Sequence, residues 1–181
     1  AVGLMTTDAP GSGSEVSLIS VTFELKEGSG SQITHGENII DNGDFSNQDF
    51  SSWSASLGDA TITAEPVENG ANIGVTTCGA ITRSNDPSKS YECFAQDITG
   101  KVREGEEYEF SFWAKLSDDY NKELDDSQKT VQFQPYYVNG NDKEVYDTTG
   151  LISGTSAQVL EAGKWTKFEG TYKIPSGAKK V

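Results

Sequence analysis

The chain of 181 residues has a single histidine, His35, and only two cysteines. Hydrolytic triads need a histidine beside the nucleophile, and zinc sites need several closely spaced histidines or cysteines. The nucleophile motif G-x-S-x-G is also absent. The 28 aspartates and glutamates are too numerous for any pair of them to identify a catalytic site. The sequence therefore predicts that the protein is not an enzyme.

Basic residues are scarce as well, since 14 lysines and arginines leave a net charge of −14. Binding to a nucleic acid backbone or to an anionic membrane depends on clustered Lys and Arg, so we expect neither partner. No run approaches the roughly 18 apolar residues of a membrane helix. No export signal stands at the N-terminus, and we expect that one was removed or lay upstream. A neutral partner fits this charge better.

The residues that are abundant favour β structure. Nineteen glycines, 10% aromatic residues and short apolar runs between turn residues describe many strands with tight connections. The expected fold class is all-β, a β-sandwich formed by one domain. In "EVSLISVTFEL" the apolar alternation changes phase after Leu18, which indicates a bulge or burial on both faces.

The two cysteines, Cys78 and Cys93, flank the turn-rich segment "SNDPSK". Two strand-like runs on either side of this segment predict a hairpin that brings the cysteines opposite each other. A disulfide at this place would stabilise an exported protein by about 3 kcal/mol. Two buried thiols in neighbouring strands are the alternative.

Five segments follow one another from residue 37 onward: "ENIIDNGDFS", "FSSWSAS", "CFAQDITGKVREGEEYEFSFWAKLS", "KTVQFQPYYV" and "GKWTKFEGTYKIP". Their order and spacing resemble the carbohydrate-binding modules of family 22 and the related families 4 and 9, which are attached to xylanases. The resemblance implies a sandwich of jelly-roll topology whose concave sheet carries a groove for xylan or mixed-linkage β-glucan. It also implies that Trp53 and Trp165 lie in the core.

The strand "QFQPYY" has the pattern that sugar binding needs. Aromatic faces stack on the apolar C–H patches of pyranose rings, while amides and charged groups bind the hydroxyls. If Phe133 enters the core, then Gln132, Gln134 and Tyr136 face outward together. We expect Tyr136 to be the main stacking platform. Its alternative role is that of an ordinary half-exposed strand tyrosine.

The resemblance suggests further groove residues. Tyr91 falls where the family has a stacking tryptophan, and Arg83 resembles the groove arginine, although "SNDPSK" is an insertion. Trp113 alternates with the apolar residues of its strand, so we expect it on the concave face. Glu144 and Tyr146 follow the "NGND" turn after the Tyr136 strand and would line the rim. The structural alternatives are loop cover for Tyr91, a salt bridge for Arg83 and burial under a loop for Trp113.

A structural calcium ion is a further implication of the resemblance. The family commonly binds this ion with oxygens around an "NGDFE" turn and an aspartate of its last strand. This chain has "NGDF" at 42–45, but Ser46 replaces the glutamate, and Ile19 and Ser20 replace the aspartates. Oxygen ligands suit calcium, so Asp44 with nearby carbonyls is a candidate site. We expect no cofactor that is required for function.

The two ends of the chain look like halves of one interrupted segment. The resemblance implies two more strands after "GTYKIP", and the first 25 residues look like that missing piece. We predict one module with residues 1–25 as closing strands, 26–36 as a linker joining the original termini and 37–181 as the main body. This order of segments is the one expected for a circular permutant. The tail of a tandem module and a strand swapped between molecules are the alternatives.

The predicted function is therefore binding without catalysis. The module would bind β-1,4-xylan or mixed-linkage β-glucan and hold an attached glycoside hydrolase on plant cell-wall polysaccharide, outside the cell. The alternative is a structural or adhesive β-sandwich whose aromatic residues are all buried.

Overall fold

The computed structural model describes residues 2–6, 15–27, 34–47, 49–50, 52–55, 61–66, 76–82, 92–116, 131–147 and 160–181. Within these ranges, no helix is long and apolar enough to cross a membrane. The strands found there are β1 (Val2–Thr6), β2 (Glu15–Glu27), β3 (Thr34–Asn38), β4 (Ser54–Ala55), β5 (Thr61–Pro66), β6 (Thr77–Thr82), β7 (Glu92–Gln96), β8 (Glu107–Leu116), β9 (Val131–Val138), β10 (Glu144–Tyr146) and β11 (Thr166–Lys173).

The strands form two antiparallel sheets. The five-stranded sheet has the order β10-β9-β1-β7-β4, and the six-stranded sheet has the order β11-β8-β2-β6-β5, with β3 also paired to β2. The chain passes repeatedly from one sheet to the other, as it does in jelly rolls. This arrangement confirms the predicted all-β sandwich.

Stacked aromatic rings fill the space between the sheets. Phe133 of the five-stranded sheet stacks on Phe110 of the six-stranded sheet, with ring centroids 3.8 Å apart. Burial of each such side chain stabilises the fold by about 1.5–3 kcal/mol relative to exposure. The ring centroid of Phe23, in β2, lies 6.1 Å from that of Phe133. Trp53 belongs to the same core cluster, as predicted. Trp165 is buried but lies outside that cluster, with Lys115 Nζ 5.6 Å from its ring centroid.

The phase change in β2 is a bulge, which confirms one of the two predicted explanations. The register between β2 and β8 shifts between Ile19 and Thr22. At this point the Val21 amide donates a hydrogen bond to the Gly43 carbonyl at 2.7 Å. A Cβ atom on Gly43 would lie 2.1 Å from the Val21 carbonyl oxygen, so the close approach requires glycine.

β1 and β2 each supply the middle strand of one sheet. β1 lies between β9 and β7, while β2 lies between β8 and β6. Without these two strands, four other strands would each lose a row of backbone hydrogen bonds inside the sandwich. Both strands are therefore part of this domain's fold.

The last residues of the chain lie in line with β1 along β9. Val2 pairs with Pro135, and Lys180 forms a bridge with Val138. The two positions between Pro135 and Val138 leave room for two residues between Lys180 and Val2. Val181 follows Lys180 directly and occupies the first of these two places.

The strand on the other side, β7, shows the same register. Val2 pairs with Gln96, and the amide of Ile98 donates a hydrogen bond to the Val181 carbonyl at 3.0 Å. β1 thus continues the line that Lys180 and Val181 begin. The permuted order requires this geometry, although the permutation itself remains a prediction.

The boundaries of the predicted linker differ from the observed strands. β2 extends to Glu27 and β3 begins at Thr34, with Lys26 paired to His35. Both ends of the segment 26–36 therefore belong to paired strands. Residues 28–33 lie outside the described ranges.

The predicted hairpin between the two cysteines is wrong. Cys78 lies in β6 of the six-stranded sheet and Cys93 lies in β7 of the five-stranded sheet, because the chain crosses between sheets here. Cys78 is buried, at 4% exposure. The side chain of Cys93 is outside the described residues, so the disulfide remains a prediction.

We predict that a chain starting at residue 34, with residues 1–27 moved to follow Val181, forms the same sandwich. β1 and β2 would keep all their neighbours, and Val181 would join residue 1 within one strand. Circular dichroism should show the same spectrum. Since 1 kcal/mol corresponds to about 2–4 °C at this chain length, the melting temperature should change by only a few degrees.

The matched control is a chain that lacks residues 1–27. It should show no cooperative thermal transition, because both sheets lose their middle strand. A shortened chain that melts like the full chain would contradict the role assigned to this segment.

Candidate binding face of the five-stranded sheet

β9 directs its side chains alternately into the core and toward the outer face of the five-stranded sheet. Phe133 is in the core at 2% exposure, and Tyr137 packs against the same core. Gln134 and Tyr136 therefore lie on the outer side of β9. This is the division that the alternation in the sequence predicts.

Two tyrosines form a continuous aromatic surface on this outer face. Tyr146 of β10 pairs directly with Tyr136 of β9. Their ring centroids are 5.1 Å apart, and the rings are tilted by 38°. Tyr146 is 49% exposed, whereas most large apolar side chains of the described ranges are buried. We call these two residues the tyrosine platform.

Glu144 holds the Tyr136 hydroxyl of the platform through a hydrogen bond. The hydrogen bond from the Tyr136 hydroxyl to the Glu144 carboxylate, with a smaller contribution from burial, raises the pKa of Tyr136 to about 12. The neutral Tyr136 hydroxyl is thus the hydrogen-bond donor, and the Glu144 carboxylate is the acceptor. Its phenol oxygen still has lone pairs that can accept a hydrogen bond from a ligand.

An ion pair that no sequence pattern predicts lies beside the platform. Lys180 Nζ is 3.4 Å from Asp97 Oδ2, and both side chains are about half exposed. Asp97 is close enough to contribute to the raised pKa of Tyr136. Exposed ion pairs add only about 0–1 kcal/mol to stability, so these groups remain available to bind hydroxyls.

Of the two predicted glutamines, the structure describes the side chain of Gln134 only. Gln134 is 6% exposed, and its Nε2 donates a hydrogen bond to the Asp147 carbonyl at 3.3 Å. It therefore supports the end of β10 more than it offers a surface for ligand. Gln132 belongs to β9, but its side chain is not among those described.

The prediction that Trp113 shares a face with Tyr136 is wrong. Trp113 does point away from the core, as the alternation in β8 predicts. However, β8 belongs to the six-stranded sheet, where Trp113 pairs with Lys167. Outward residues of the two sheets lie on opposite sides of a sandwich.

Tyr91 and Arg83 both lie outside the described residues. Their predicted positions in a groove therefore remain predictions.

The described oxygens near Asp44 fit a calcium ion poorly. Asp44 is exposed, and the hydrogen bond from the Ser46 amide to its carboxylate, 3.0 Å long, lowers its pKa. The Asn42 carbonyl accepts from Trp53 Nε1, and the Gly43 carbonyl is engaged by β2. The described ranges contain no cluster of three or more His, Cys, Asp or Glu. Calcium usually takes six to eight oxygens, so binding at Asp44 stays a prediction.

Comparison with known proteins gives one family and one relative. Residues 37–181 match the carbohydrate binding domain family of types 4 and 9. Endo-1,4-beta-xylanase A of Thermoanaerobacterium saccharolyticum is 23% identical over 146 residues. The alignment covers 76% of this chain but only 10% of the xylanase. No solved structure gives a significant match.

We predict that Glu144→Gln lowers the pKa of Tyr136 from about 12 toward the usual value near 10. The neutral amide no longer opposes formation of the tyrosinate. Alkaline titration followed by tyrosinate absorbance should show one tyrosine moving to lower pH. Any stability that the Tyr136–Glu144 hydrogen bond adds is present below pH 10 and is lost as the pH rises through 12.

Tyr136→Phe is the control for this titration, because it removes the tyrosine whose ionisation near pH 12 should shift in Glu144→Gln. If Glu144→Gln leaves that ionisation unchanged, the assigned hydrogen bond is wrong.

Proposed function

Because this chain belongs to the carbohydrate-binding domain family that its residues 37–181 match, we propose that it binds β-1,4-xylan or a mixed-linkage β-glucan. The proposed site is the outer face of the five-stranded sheet. The observation that carries this assignment is the tyrosine platform, in which Tyr146 is half exposed and lies against Tyr136.

The chemistry of this face suits a neutral sugar chain. The flat C–H faces of pyranose rings stack on aromatic rings, so Tyr136 and Tyr146 would bind successive parts of the chain. Glu144, Asp97 and Lys180 stand beside the platform, with exposed carboxylates and an amine that can bind hydroxyls. The net charge of −14 disfavours polyanions but not an uncharged polysaccharide.

The name of the relative supports xylan as the ligand. The chain corresponds to about a tenth of that xylanase, which fits a binding domain within a larger enzyme. We infer that this domain acts without turnover and keeps an attached glycoside hydrolase on plant cell-wall polysaccharide, outside the cell. Tethering would raise the local concentration of the enzyme at its substrate.

We predict that Tyr136→Ala weakens binding to soluble xylan by about tenfold or more, since it removes the central stacking surface. Affinity electrophoresis in gels containing xylan should show that the variant migrates without retardation. Trp113→Ala is the matched control, because it removes an aromatic side chain from the opposite face. It should migrate like the original chain, and thermal unfolding would check that both variants are folded.

Equal retardation of Tyr136→Ala and the original chain would reject the proposed site. If the folded original chain is not retarded by xylan or by mixed-linkage β-glucan, the proposed ligand is wrong. Gels with other neutral polysaccharides would then identify the ligand class.

A further inference from the structure

An open depression of about 690 Å³ lies at the edge of the sandwich. One wall comes from the side of β9 and β10, and the other comes from the end of β11. The lining includes Tyr137, Asp147, Lys173, Ile174, Pro175 and Ser176. Sites for small ligands usually measure about 300–1,000 Å³, so the depression has a suitable size for one or two sugar rings.

The depression lies around the β10 edge from the tyrosine platform, because Tyr137 alternates with Tyr136 along β9 and faces the core side. Asp147 directly follows Tyr146 in the chain, and its amide donates a hydrogen bond to the Pro135 carbonyl at 3.0 Å. Gln134, on the outer side of β9, donates its amide hydrogen to the Asp147 carbonyl. A ligand that crosses the platform and passes the β10 edge therefore reaches the depression next.

Hydrogen bonds already hold both walls in place. The Tyr172 hydroxyl donates to Asp147 Oδ2 at 3.0 Å, and burial together with this carboxylate raises the pKa of Tyr172. On the other wall, the Ile174 amide donates to the Glu106 carbonyl and the Gly105 amide donates to the Ile174 carbonyl, both at 2.9 Å. A preformed site loses little conformational entropy when it binds a ligand.

The lining combines ring surfaces with polar groups. Tyr137 and Pro175 are partly exposed and offer apolar surface. Lys173 is exposed and forms no ion pair within the described ranges, so its three N–H donors can face a ligand. The Ser176 hydroxyl donates to Glu104 at 2.6 Å and can accept a further hydrogen bond. A pyranose ring has both kinds of surface.

We propose that this depression is an additional sugar subsite, which we call the edge subsite. A polysaccharide chain bound on the tyrosine platform continues past Tyr146 and places a further ring against Tyr137 and Pro175. Lys173 then donates hydrogen bonds to the hydroxyls of that ring. This inference rests on the proposed function and adds to it a dependence of affinity on the length of the bound chain.

The test uses xylose oligomers from the dimer to the hexamer, titrated into the full chain by isothermal calorimetry. Affinity should increase with length until the oligomer covers the platform, and it should increase once more when the oligomer is long enough to reach the edge subsite. The double variant Lys173→Ala/Pro175→Ala should bind short oligomers like the original chain and lose the last increase. We expect a loss of roughly 3- to 10-fold, the effect of one or two hydrogen bonds.

Lys167→Ala is the matched control, because it removes the same charge from the same strand, β11, away from the depression. It should leave the affinities for all lengths unchanged. Tyr136→Ala should weaken binding at every length, which separates the platform from the edge subsite. If the double variant unfolds at a lower temperature, Lys173→Ala alone provides the same comparison.

The two proposals fail in different ways. If the original chain binds the oligomers but the Lys173 variants show the same length dependence, the edge subsite is wrong and the proposed function stands. An affinity that stops rising before the chain passes the platform also rejects the edge subsite. If the original chain binds neither these oligomers nor oligomers of mixed-linkage β-glucan, both proposals fail.

Discussion

Both sheets depend on the backbone pairing that residues 2–27 supply. β1 connects β9 to β7, and β2 connects β8 to β6. The core depends on the same segment, because Phe23 of β2 stacks on Tyr108 at 5.2 Å and approaches Phe133 at 6.1 Å. β9 carries Tyr136 and pairs with β1, so the position of the platform depends on a strand about 130 residues earlier in the chain. The family match begins only at residue 37 and does not include this support.

Local patterns predicted the features that depend on local geometry. Strand side chains alternate with a period of two, so the sequence of β9 was enough to separate Phe133 from Tyr136. The phase change in β2 likewise predicted its bulge. The same patterns do not tell which strands are neighbours, because pairing is a non-local property. Trp113 was therefore assigned to the wrong sheet, although its outward direction was predicted correctly.

The groups around Tyr136 illustrate this limit. Glu144 is close in sequence, and its place after the "NGND" turn predicts it at the rim. Asp97 and Lys180 come from distant segments of the chain. They meet because Lys180 and Val181 lie in line with β1, and β7, which ends just before Asp97, is the neighbour of that line. Neither residue belongs to an aromatic or amide pattern. Their place in the site becomes visible only through the register of the strands.

The two outer faces of the sandwich differ in chemistry, and this difference favours one of them for sugar binding. On the six-stranded sheet, Glu24 lies directly opposite Glu109, and the Lys167–Glu169 ion pair lies on the neighbouring strand β11. Charged groups such as these are costly to remove from water, so they keep the surface hydrated. A sugar would have to displace this water without gaining a pair of stacked rings. The five-stranded sheet instead pairs Tyr136 with Tyr146, so water leaving these ring faces makes binding more favourable.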